Sequence, residues 1–175
     1  MSDLRFPIGK FIPPDSFDAT QRSRLIADID HAPAALRRSA QGLSDEQIDT
    51  PYRPDGWTVR QVVHHVPDSH MNAYIRFKLA LTENEPAIKT YEEQLWAELP
   101  DTKATPLDTS LTLLETLHKR WVILLHEMRD ADFARTFKHP EWGAVSLDWT
   151  LALYSWHGRH HVAHITSLRE RMEWA

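Results

Sequence analysis

Val59, Val62, Val63, Val66, Ala73 and Phe77 recur at intervals that lay them along one face of a helix. The helix should start just after Thr58. This threonine can cap the first turn while Gln61 reaches back to the cap, the reciprocal capping-box pattern. A second stripe, Leu111, Leu114, Leu117, Trp121, Leu124 and Met128, predicts a helix over about 110–128. A third, Leu151, Tyr154, Ile165, Leu168 and Met172, predicts the longest helix, from near Ser146 to about Arg171. Ahead of these, about Ala19 to Gln41 should be helical with a kink at Pro33, which removes one backbone hydrogen bond and crowds the preceding turn. Gly42 suits the end of that helix, where a left-handed residue is needed.

Two stretches break the pattern. Residues 83–108 are acidic and dotted with proline, with a short helix expected around Tyr91 to Glu98; loops of that length are often functional. Residues 135–146, "RTFKHPEWGAVS", predict an extended excursion or small hairpin around Gly143. Four main helices joined by such connections give an all-α, up-and-down four-helix bundle, with residues 1–175 as one domain. In bundles, metal sites are built from side chains projecting inward off facing helices.

Composition removes several kinds of function. A net charge of −5, with no cluster of Lys and Arg interleaved with aromatics, argues against a nucleic-acid partner. Apolar runs such as "WVILL" fall far short of the ~20 residues a membrane span needs. The start, "MSDLRFPIGKFIPPDSFD", lacks the basic and apolar regions of a secretory signal, so a cytoplasmic protein is expected. Cysteine is absent. A metal must therefore be held by His, Asp or Glu, and thiol chemistry needs a thiol from outside.

Histidine is where the chemistry concentrates. "SWHGRHHVAHI" carries His157, His160, His161 and His164, and "VVHHVPDSH" adds His64, His65 and His70. The pairs His157/His161 and His160/His164 each have the i,i+4 spacing that puts two imidazoles one turn apart. At about 100° per residue, His161 falls near the middle of the apolar stripe, His157 roughly 60° from it and His160 roughly 120° away. His157 and His161 should thus face the interior and His160 the water, with His164 intermediate. A lone histidine on an apolar face is usually an ordinary core residue. Two in register are harder to dismiss, because each needs a buried hydrogen-bond partner, but spacing alone leaves the ligand and core readings both open. On the second helix periodicity does not choose a third ligand. His70 lies closest to the valine stripe and His65 at its edge, but Pro67 disturbs the wheel.

The segments "TPYRPDGWTVRQVVHHVPDSHMNAYIRFKLALTE" and "LYSWHGRHHVAHITSLRERMEW" resemble the DinB/YfiT-like metal-dependent hydrolases, and "FPIGKFIPP", His139-Pro140 and Trp174 fit as well. The resemblance covers essentially the whole chain. It implies a four-helix bundle holding a divalent ion on three histidines, here His65, His157 and His161, and it implies a homodimer. The chain departs from the family at Pro67, where close relatives carry alanine; its ring should weaken the bond to the Val63 carbonyl. His64, His70, His160 and His164 are left beside the ligands or on the surface, and Asp68 is a candidate to orient an imidazole.

Three neutral ligands leave open positions, the pattern of a catalytic ion. Zinc is the first expectation and nickel the second. The HExxH protease signature is absent because Gly158 follows His157, so a general base would come from a loop or the substrate. The expected function is hydrolysis of a small molecule with water activated at the metal. A second reading is transfer of a low-molecular-weight thiol such as bacillithiol onto an electrophile. A third is a non-enzymatic helical interaction module.

Overall fold

The computed structural model describes residues 3–174. Four long helices form the bundle: α1 (Ala19–Ala40), α3 (Val59–Thr82), α6 (Leu107–Glu127) and α8 (Leu147–Arg171). Shorter pieces join them: α2 (Asp45–Ile48), α4 (Glu93–Trp96), α5 (Pro100–Ala104), α7 (Asp130–Phe133), and a hairpin of β1 (Thr136–His139) with β2 (Gly143–Ser146). The sequence pattern did not resolve α2, α5 and α7. At four or five residues they are too short to show a period.

The predicted end signals are in place: Gly42 follows the end of α1 at φ +78°, and Thr58 and Gln61 form the capping box of α3. The structure adds two caps, Asp18 on α1 through the Gln21 amide and Ser146 on α8 through the Trp149 amide. The hairpin is antiparallel, with Phe137 opposite Val145, and turns through residues 140–142; Gly143 opens β2 opposite His139 with a φ of +72°, which a side chain would disfavour. The Ile88 amide donates to the Lys138 carbonyl, so the 83–108 excursion lies along the hairpin edge.

Around the bundle axis the order is α1, α6, α3, α8, so α1 and α3 stand diagonally and α3 packs beside α8. Helix α3 continues unbroken through Pro67, which is buried. The apolar core is split into two parts. One contains Ile29, Phe77, Trp121 and Leu151 with the hairpin's Phe137 and Val145; the other contains Leu36, Val59, Val63, Leu114, Ile165 and Leu168. Between them, α3, α6 and α8 contribute histidines at one level, while α1 contributes Pro33. The bundle thus has a polar layer across its middle.

Two side-chain stripes differ from expectation. On α6 the buried positions are Leu111, Leu114, His118, Trp121 and Leu125, while Leu117 and Leu124 are only half-buried. On α8, Met172 is 51% exposed, because it lies beyond the helix's last turn. Asp148, in the first turn of α8, receives a two-pronged ion pair from Arg22 of α1, with Nε–Oδ1 2.7 Å and Nη2–Oδ2 2.8 Å. An N-terminal arm crosses the outer side of α8. Trp156 Nε1 donates to the Gly9 carbonyl at 3.2 Å, and Phe11 packs edge-on against Trp149.

Candidate metal centre

The valines of α3 take the core face, which leaves His65 at the edge of that face, turned toward α8. There His157 and His161 stand one turn apart with ring centres 4.5 Å from each other. The three residues each offer one ring nitrogen, and these nitrogens lie within 4.8 Å of one another. His65 Nε2 and His157 Nε2 are 3.3 Å apart. Burial lowers the pKa of His65 to about 4. It also holds His157 and His161 well below the ordinary imidazole value, with neighbouring imidazoles adding to the effect. At neutral pH all three rings are uncharged, the state in which imidazole binds a metal.

The donor set suits a divalent ion. With Zn–N bonds near 2.0–2.1 Å, two ligands in a tetrahedral arrangement have nitrogens about 3.3–3.4 Å apart. The His65–His157 spacing falls there. His161 Nδ1 is buried with no hydrogen-bond partner among the described residues.

The cluster forms one wall of a cavity of about 330 Å³, also lined by Arg5, Arg53, Trp57, Glu93 and Trp156. Trp57 packs at a tilt against His65, at 4.7 Å between ring centres, and its Nε1 donates to Gln94 Oε1 at 2.8 Å. Gln61 donates to the Ala97 carbonyl and to Glu98 Oε1. These bonds fasten the 83–108 excursion to the start of α3 and bring Glu93 to the cavity. Although Glu93 is exposed overall, partial desolvation at that wall raises its carboxyl above the ordinary range. The loop therefore brings to the cavity a carboxyl that no motif announced.

His160 does not face water. It is 7% exposed, stacked on Trp156 at 4.3 Å between ring centres and 5.9 Å from Phe6. It lines the same cavity as the three histidines, its ring 5.1 Å from that of His161; the N-terminal arm helps to cover it, which periodicity within a helix cannot register. The same arm takes His164, whose Nε2 donates to the Arg5 carbonyl at 3.2 Å. His64 turns the other way and meets Ser110 Oγ through Nδ1 at 2.7 Å. Asp68 makes no hydrogen bond to an imidazole among the described residues; burial raises its carboxyl to about 6.

His70 is fully buried and touches a candidate ligand directly, with Nε2 3.1 Å from His157 Nδ1. On its other side, His70 Nδ1 lies 2.8 Å from His118 Nε2. His118 is a participant the sequence reading passed over. Its signal was present: Leu111, Leu114, His118, Trp121 and Leu125 alternate spacings of three and four without a gap.

Comparison with known proteins identifies the family. Residues 28–165 match the family model of the DinB superfamily. A protein of Bacillus mycoides (strain KBAB4), named "Putative metal-dependent hydrolase", is 56% identical over 99% of this chain and 100% of its own length. One of Bacillus cereus (strain 03BB102) with the same name is 55% identical over the same shares. The solved structure of YfiT from Bacillus subtilis, described as "a probable metal-dependent hydrolase with an unusual four-helix bundle topology", superposes with a TM-score of 0.95 at 48% identity. That match covers 98% of this chain and 99% of YfiT. By fold, by sequence and by the family model, the chain belongs to the DinB superfamily.

Proposed function

We propose that this chain is a divalent-metal-dependent hydrolase in which His65, His157 and His161 hold one ion, zinc first and nickel second, beside a small-molecule pocket. The observation that carries the reading is the convergence of three neutral imidazoles on one wall of the cavity. Three protein ligands leave room for water and substrate. When bound, such an ion makes water a nucleophile at neutral pH and polarises a substrate oxygen.

The remaining work falls to the chain. Trp57 and Trp156 offer flat apolar walls against which a substrate packs, and Arg5 and Arg53 add positive charge to the lining. Glu93, with its carboxyl raised by partial desolvation, accepts a proton near neutrality more readily than a solvated glutamate would. The names of the Bacillus relatives and of YfiT support hydrolysis over other chemistry.

The test is elemental analysis of the purified protein, followed by a panel of esters and amides, and of a low-molecular-weight thiol with an electrophile. Metal-dependent hydrolysis that Glu93→Gln slows supports the proposal. Thiol consumption in place of hydrolysis replaces it with group transfer. Absence of metal uptake rejects both.

A further inference from the structure

The polar layer contains a continuous line of hydrogen bonds that starts at a backbone defect. Pro33 lies inside α1 and has no amide hydrogen, so the Ile29 carbonyl four residues earlier lacks its helical donor. His118 Nδ1 reaches across from α6 to that oxygen at 2.6 Å. A carbonyl can only accept, so the hydrogen sits on His118 Nδ1. A neutral imidazole carries one N–H, which leaves His118 Nε2 as an acceptor. The 2.8 Å contact to His70 Nδ1 is then donated by His70, and His70 Nε2 becomes the acceptor of the next bond. At 3.1 Å, His157 Nδ1 donates to it. His157 Nε2 is left with a lone pair, and this atom is the one 3.3 Å from His65 Nε2.

We infer that the carbonyl freed by Pro33, together with His118 and His70, forms an anchored chain that fixes His157 as its Nδ1–H tautomer and holds its Nε2 lone pair at the centre of the three-histidine cluster. Each link is directional because the first acceptor cannot donate. His70 and His118, at 0% and 1% exposure, have no water to offer an alternative partner. Gly158 serves the close approach of α1 to α8, since a Cβ there would come 3.1 Å from Ala32 Cβ; toward His70 Cε1 it would make only an ordinary contact at 3.7 Å. His70 and His118 are positioning residues. The chain of bonds stands without the metal; only its purpose rests on the reading above.

The experiment uses metal-free protein labelled with ¹⁵N-histidine. Long-range proton–nitrogen spectra at neutral pH should show Nδ1 protonated and Nε2 bare in His118, His70 and His157. A proton on Nε2 of His157 in the absence of metal overturns the inference. His118→Phe fills the space but gives His70 nothing to donate to. It should mix the tautomers of His157 and weaken zinc binding, read by competition with a chelating dye, about 10–100-fold. His118→Gln keeps an acceptor oxygen for His70 and should hold zinc within a few-fold of the parent protein. Equal zinc affinity in the Phe variant, with His157 unchanged, also overturns the inference. Should His118→Phe fail to fold, the parent and His118→Gln spectra decide it. If the three tautomers are as described but zinc and nickel do not bind, the chain of bonds is upheld and the three-histidine metal reading fails.

Discussion

His65 Nε2 and His157 Nε2 lie 3.3 Å apart although ninety-two residues separate them in the chain. At that distance a neutral His65 can donate its Nε2 proton to the His157 Nε2 lone pair, and a cation can take the place of that proton. A metal ion would also draw in His161, whose ring nitrogen lies within reach of both. His65→Ala, His157→Ala and His161→Ala should each lose most bound zinc. Metal content of the purified variants measures this, and full occupancy in any of the three would remove that residue from the ligand set.

His160→Ala should behave differently. Its ring fills space between Trp156 and Phe6 and is not among the three converging nitrogens. Truncating a buried ring leaves a cavity, so a stability loss of about 1–3 kcal/mol is expected. Zinc should be retained. Denaturant melts and metal analysis on the same preparation separate the two effects, and loss of zinc at unchanged stability would contradict the assignment.

Acid should unfold the metal-free protein. His65 and His118 titrate near 4 in the folded chain because burial penalises their charged forms. Between about pH 6.5 and 4 the unfolded chain therefore binds protons that the folded one refuses. Stability is complete above the unfolded value and falls as pH drops through this window, by up to about 3 kcal/mol for each such imidazole. Asp68, raised to about 6, acts in the opposite sense. It keeps a proton in the folded state that the unfolded state releases, so Asp68→Asn should make the acid loss steeper. Melting temperatures that stay level from pH 7 to 4.5 would count against both statements.

Breaking the tie between α1 and α8 should be costly. The side chains of Arg22 and Asp148 are only 12% and 10% exposed. Asp148→Ala leaves the guanidinium without its main partner, although Asp130 remains on its outer side. A loss of about 3 kcal/mol is expected from removing one member of a buried pair. Thermal denaturation checks it; a loss below about 1 kcal/mol, the range of surface pairs, would place the interaction with those pairs.

Much of this arrangement was legible in the residues. The capping box at Thr58 and the glycines at 42 and 143 marked element ends, whereas Pro33 ended nothing, since α1 runs on through it. The stripe on α8 turned His157 and His161 inward. His65 came only from resemblance, because a wheel drawn through Pro67 leaves His65 and His70 undecided. His118 was missed because two leucines flank the true stripe at positions 117 and 124, and a pattern search prefers leucine to histidine. His160 was misplaced for a different reason: helical periodicity reports which side faces the other helices, and nothing about a coil segment lying across the far side.

That coil segment has a consequence for how the protein folds. The bond from His164 to the Arg5 carbonyl joins positions 159 apart, and that from Trp156 to Gly9 joins positions 147 apart. Each closes nearly the whole chain into a loop, and neither has a surface to dock on until α8 is packed. Long-range closures of this kind slow folding. The arm should therefore settle last, after the bundle and its layer of histidines have formed, and Trp156 should stay in contact with water until it does. Stopped-flow refolding followed by tryptophan fluorescence should show a final phase that disappears when the first twelve residues are deleted, while the main phase remains.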